Sequence, residues 1–130
     1  MKRDMDLIRE LLLKLEDLHV RPGGIVHITP DADEIQVAGY DHHQIEYHLR
    51  LICQAGWIDT GGGSGPMVGI SFRAITWSGH DFLDSIRSPE IWAKTKAGAY
   101  AAGGFTVELL TDLAKGFVKK QIEDRTGVKL

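Results

Sequence analysis

The chain has a single cysteine, Cys53, among its 130 residues. One thiol excludes an internal disulfide framework and a zinc site built from cysteines. No apolar run in the sequence approaches the roughly 18 residues that a membrane-spanning helix needs. The opening residues MKRDMDLIRE carry charges but no apolar stretch, so no secretion signal is expected there. Excess positive charge is missing as well. Fifteen Lys and Arg stand against 18 Asp and Glu, giving a net charge of −3 and a pI near 6.0. A generic nucleic-acid-binding domain is usually basic. Neither a phosphate-binding GxxxxGK[ST] loop nor an HExxH zinc motif is present. These absences lead to the expectation of a soluble cytoplasmic protein with no membrane association, no cofactor and no metal.

What is present is ordinary globular material. Hydrophobic residues make up 43% of the chain, enough to build one core without staples. Charge is uneven. Residues 1–86 hold 7 basic and 13 acidic side chains, and residues 87–130 hold 8 basic and 5 acidic ones. An acidic body therefore carries a mildly basic tail section.

Five helices are expected. Met5, Ile8, Leu11, Leu12, Leu15 and Leu18 follow the i, i+3, i+4, i+7 pattern of a buried stripe, which places a helix over 4–18. Asp41 with Gln44 three residues later forms a capping box for a helix over 42–55. Ile45, His48, Leu49, Ile52 and Cys53 face inward there. His48 reads as a hydrogen-bonded structural histidine and Cys53 as a small hydrophobe. Helix 77–87 has Trp77, Phe82, Leu83 and Ile86 inward. Ser88-Pro89-Glu90 starts a helix running to about Tyr100, and Thr106 caps a last one over 107–123.

Between the helices, residues 24–28 are β-like, and Glu34 to Ala38 alternate as a half-buried strand. Trp57-Ile58-Asp59 and Val68 to Ile75 flank a glycine-rich tip, residues 61–66, and read as a hairpin. The fold class that follows is α+β, a winged-helix-like core with a β-hairpin wing and additional C-terminal helices. The domain reading is 1–87 for that core and 88–130 for a helical extension, packed on it or forming a dimer interface. The helix that would precede the recognition helix in a full helix-turn-helix is shortened or missing in 25–40.

Several blocks carry a family resemblance. Met1-Lys2-Arg3-Asp4-Met5-Asp6-Leu7-Ile8-Arg9, Gly39-Tyr40-Asp41, Tyr47-His48-Leu49, Gln54-Ala55-Gly56-Trp57-Ile58 and Ile75-Thr76-Trp77-Ser78-Gly79-His80-Asp81-Phe82-Leu83-Asp84 resemble a phage- and prophage-borne domain-of-unknown-function family, number 2513. The resemblance spans positions 1 to about 100. It implies a winged-helix-like fold and a phage or prophage setting in a bacterial host cell. It implies no established activity.

The first functional reading is a DNA-binding, transcription-regulator-like accessory protein acting on double-stranded DNA. His43, Gln44, Tyr47 and Arg50 would face the groove from helix 42–55, and Arg73 would contact the backbone beside the wing. Arg50 lies off the apolar stripe, so Arg50→Ala is expected to weaken binding and spare the fold. The alternative is a non-catalytic protein-binding module, a homodimer or a modulator of a host protein, without DNA affinity. A homodimer would use Leu110, Leu113, Phe117 and Val118 of the last helix. Catalysis is not expected. The adjacent His42 and His43 point about 100° apart on a helix and do not chelate through one face. His80-Asp81 reads as a surface or capping pair. Trp77 and Trp92 read as core aromatics.

Overall fold

The computed structural model describes residues 1–63 and 65–130. Ser64, inside the glycine-rich run read as a flexible tip, lies outside the described residues. The chain divides into two compact units, Met1–His80 and Asp81–Leu130. Among the described residues the fold is α+β, with five α-helices and two small antiparallel sheets, consistent with a winged-helix-like arrangement.

In the first unit, α1 spans Met5–Glu16. It starts at Asp4, whose carboxylate accepts hydrogen bonds from the Asp6 and Leu7 amides at 2.9 and 3.2 Å. That cap satisfies two otherwise orphaned donors and suits the positive end of the helix dipole. Leu7, Leu11 and Leu12 of α1 are completely buried, as are Ile45, Leu49 and Ile52 of α2, His42–Gln54. Each such side chain contributes about 2 kcal/mol by leaving water. The capping box is formed in full: Asp41 accepts from the Gln44 amide at 2.8 Å, and the Gln44 side chain accepts from the Asp41 amide at 2.9 Å.

The strands pair differently from the sequence expectation. β1, Val26–Ile28, pairs antiparallel with β3, Ile70–Phe72, in the register Val26 to Phe72. β2, Ile58–Asp59, pairs antiparallel with β4, Ala74–Ile75. The expected single strand from Val68 to Ile75 is therefore two strands with different partners. Ile70, Phe72 and Ile75 are all buried, so the period of two slips by one residue after Phe72. A slip of one turns the chain over. The Arg73 amide already donates to the Asp59 carbonyl at 2.8 Å, which hands the strand from β1 to β2.

The strand expected at Glu34 to Ala38 is not formed. Asp33–Ile35 makes one turn of 3-10 helix instead. Ile35 is fully buried there, while the Gln36 side-chain amide donates to the Pro30 and Ala32 carbonyls at 2.9 and 2.8 Å. Those bonds close the turn locally and leave the segment without a strand partner. The short helix in question within 25–40 is this single turn.

α3, Trp77–Ile86, begins in the first unit and ends in the second. Trp77 does not face inward; it is 85% exposed. The buried positions are Gly79, Phe82, Leu83 and Ile86, a clean i, i+3, i+4, i+7 stripe. Trp77 precedes Phe82 by five residues, about 140° around the helix, which takes it off that stripe. Trp57 and Trp92 are buried.

In the second unit, α4, Pro89–Ala102, packs antiparallel to α5, Val107–Thr126. Gly103 at φ 82° ends α4 in the left-handed conformation that glycine tolerates best. Trp92, Thr95 and Ala99 of α4 are buried. On the 20-residue α5 only Leu110 and Ala114 are.

Candidate functional site

The exposed face of α2 and the loop after the glycine run define the candidate face. His42, His43, Tyr47 and Arg50 are exposed along α2. Two of the expected base-reading residues prove to be structural. Gln44 is held in the capping box. Arg50 donates from Nε to the Glu46 carboxylate at 2.9 Å and from its terminal nitrogen to the carbonyls of Met67 and Pro66 at 2.6 and 3.3 Å. The other Glu46 oxygen accepts from the Gly69 amide at 2.8 Å. One ion pair thus staples residues 66–69 to α2. The expectation that Arg50→Ala spares the fold is corrected accordingly: Arg50 holds a loop even though it lies off the apolar stripe.

Gly69 makes this loop possible. Its φ is +75°, and a Cβ there would collide with the Ile28 carbonyl oxygen. On the same side, His27 Nε2 lies 2.8 Å from the Val68 carbonyl. The stapled segment presents Met67, 96% exposed, and Val68, 55% exposed. Tyr47 is exposed on α2, its ring edge-on to His48 with centroids 5.4 Å apart. The face therefore carries apolar side chains, with its one arginine committed to the scaffold.

Arg73 lies 3.9 Å from the Asp59 carboxylate, beside β2 and β4. Of the five DNA-contact candidates, His43 and Tyr47 alone have exposed side chains outside such caps and ion pairs. Sequence reasoning missed Glu46, although its i, i+4 spacing to Arg50 was a visible signal. It also missed Met67, for which the sequence offered no periodicity.

Beneath this face a polar network ties α1 to α2. The Tyr40 hydroxyl donates to Asp4 at 2.7 Å. The Asp4 amide donates to His48 Nε2 at 2.8 Å, and His48 Nδ1 donates to the Gln44 carbonyl at 2.7 Å. His48, 1% exposed, is thus a buried structural histidine. Burial, and then the hydrogen bond to Asp4, push the Tyr40 phenol from 10.0 up to about 12. A raised folded-state pKa stabilises below the unfolded value and is lost as pH climbs. The stability that Tyr40 supplies is therefore full below pH 10 and disappears as pH rises toward about 12. Tyr40→Phe is expected to cost about 1 kcal/mol at neutral pH and to flatten that alkaline loss relative to wild type. Urea unfolding of both proteins across pH 8 to 12 checks it; parallel curves would remove the bond from the account.

Among the described residues, the remaining chemistry-bearing side chains form no cluster that could hold a metal ion. Burial raises the Cys53 thiol above its ordinary value, which disfavours a nucleophilic thiolate. His80 Nδ1 sits 3.7 Å from Glu16 at the surface. The Thr29 hydroxyl holds the Asp31 carboxyl below its usual range, with His42 adding to the effect. Among the described residues, no three His, Cys, Asp or Glu side chains converge to hold a metal ion. No helix of the described residues is long and apolar enough to cross a membrane.

The last helix also departs from the expected dimer residues. Leu110 is fully buried in its own chain, which withdraws its side chain from any outside contact. Leu113 lies against Gly98 of α4; a Cβ added at Gly98 would meet its Cδ1 at 3.3 Å. Phe117 and Val118 are half-buried.

These features define a small α+β protein whose prominent surface is a stapled helix-and-loop face. Residues 2–105 match the family described as "Hypothetical protein (DUF2513)", and the chain belongs to that family. An "Uncharacterized protein" of Haemophilus influenzae is 36% identical over 97 residues, covering 74% of this chain and 76% of that one. No solved structure matches the chain significantly.

Proposed function

We propose that this protein is a non-catalytic, protein-binding accessory module that uses the α2 face and loop 65–69 to modulate a host protein. The phage or prophage setting rests on the family resemblance. The observation that carries the reading is the Glu46–Arg50 staple. It consumes the one arginine of α2 and ties the loop that presents Met67 and Val68 to the helix that exposes Tyr47. Exposed aromatic and Met side chains suit protein contacts, whereas DNA affinity depends on free cations that neutralise phosphates. Charge defines the partner further. The exposed acids Asp41, which caps α2, and Asp31, which interacts with His42 at its first residue, put negative charge at the start of the helix, so the fitting partner is a basic surface with apolar side chains at its centre.

The element order supports a second reading, a transcription-regulator-like module on double-stranded DNA. α2 precedes the loop as a recognition helix precedes a wing, and His42 and His43 are exposed on its first turn. One pair of measurements separates the two. Tagged wild type is expected to retain a basic host protein that Met67→Asp fails to retain, with circular dichroism confirming that the variant is folded. Fluorescence anisotropy with random-sequence duplex is expected to show no binding at about 50 mM salt, where phosphate contacts are strongest. Binding that collapses by about 200 mM salt would replace the protein reading with the DNA reading.

A further inference from the structure

We propose that α5 pairs with α5 of a second copy, antiparallel across a two-fold axis, through a self-complementary row of charges. Glu108, Asp112, Lys115 and Lys119 are spaced i, i+4, i+7, i+11 and are all exposed. At about 100° per residue they form one stripe on the side of the helix opposite Leu110 and Ala114, which are buried. Along that stripe the sign runs minus, minus, plus, plus. No ion pair within the described residues uses any of the four. The contrast with α4 is direct, since Lys94 there reaches Glu90 at 3.4 Å.

Such a row matches its own reverse. If two copies of α5 cross between residues 113 and 114, Glu108 faces Lys119 of the second copy and Asp112 faces Lys115 of the second copy. The two-fold axis repeats both pairs. A parallel arrangement would set each charge against itself, so the sequence selects the antiparallel one. Glu123 and Asp124 then fall beyond the start of the second helix and meet no like charge from it.

A second observation points the same way. Gly116 stands in the middle of α5 on the same side, beside Asp112 and Lys119, and is exposed. Glycine is the poorest ordinary residue in a helix interior. Yet nothing in its own chain requires it, because an added Cβ would meet no atom within 4 Å. A second helix crossing there supplies the reason: a missing side chain lets the two backbones approach. The pairing does not depend on what the α2 face binds.

Sedimentation of the full chain tests the pairing. Wild type is expected to sediment as a dimer of 14.4 kDa chains at about 50 mM salt and to dissociate toward monomer at about 500 mM, where the Debye length is short. Lys115→Glu with Lys119→Glu makes the row wholly acidic, and Glu108→Lys with Asp112→Lys makes it wholly basic. Each double variant alone is expected to associate at least about tenfold more weakly, and their equimolar mixture to recover the dimer. Gly116→Arg, which has room to fold in isolation, is expected to block association without touching the row. A wild type that stays monomeric at low salt would overturn the proposal. So would a dimer indifferent to both charge swaps and to Gly116→Arg.

Discussion

Gly79→Ala is expected to lower the melting temperature by roughly 10 °C, corresponding to about 3 kcal/mol. The expectation runs against helix propensity, because Ala in place of Gly inside a helix ordinarily stabilises by about 1 kcal/mol. The tertiary environment reverses the sign. A Cβ at Gly79 would collide with the Trp57 carbonyl oxygen and come within 2.7 Å of Ile75 Cγ2. The carbonyl belongs to the backbone and accepts a 3.0 Å bond from the Thr76 amide, so it cannot swing aside without breaking the cap region. Thr76 also donates its hydroxyl to the Gly56 carbonyl at 2.7 Å and accepts from the Gly79 amide at 3.1 Å. One methyl group therefore strains the start of α3 and the segment that follows α2 together. Thermal unfolding by circular dichroism decides the matter; an unchanged or higher melting temperature would show that the close approach does not exist.

His48→Ala is expected to cost about 3 kcal/mol, combining a cavity under α2 with a backbone donor left without its acceptor. The imidazole fills a site at 1% exposure and accepts from the Asp4 amide at 2.8 Å. His48→Gln, which can offer a carbonyl oxygen to the same amide, is expected to recover about 1 kcal/mol. Denaturant titration of the three proteins measures both steps. Equal losses for Ala and Gln would mean that packing alone accounts for His48.

Signals carried within one helix were legible in the sequence, and those joining distant residues were not. The stripes of α1 and α2 and the capping box of α2 were legible because each is specified by residues within a turn or two of one helix. Asp41 with Gln44 specifies its own geometry whatever surrounds it. The alternation at Glu34 to Ala38 misled because a period of two in five residues is short, and the Gln36 side chain closes a turn on Pro30 and Ala32 instead. Trp77 misled because aromatic residues usually enter cores, although its phase against Phe82 already placed it outside. In the candidate site, Tyr47 and His43 are exposed as expected. Gln44 was read both as part of the capping box and as a groove contact, and the structure holds it in the box, whereas Arg50 was identified as a surface residue without its partners. The i, i+4 relation to Glu46 was available, but Arg50 also reaches Met67, 17 residues away, and no pattern in the chain announces that contact.

The sequence by itself therefore determined the helices, the caps of α2, α4 and α5, the acidic balance of the first 86 residues and the absence of a disulfide framework. These follow from short-range periodicity and from counting. Tertiary structure alone decided that the strand after the glycine run changes partner at Arg73, that Arg50 and Glu46 are struts, and that Met67 stands exposed on the loop they hold. The physical reason is the same in each case. Strand pairing and backbone carbonyl contacts join residues distant in sequence, and their energies depend on which groups the fold brings within hydrogen-bond reach.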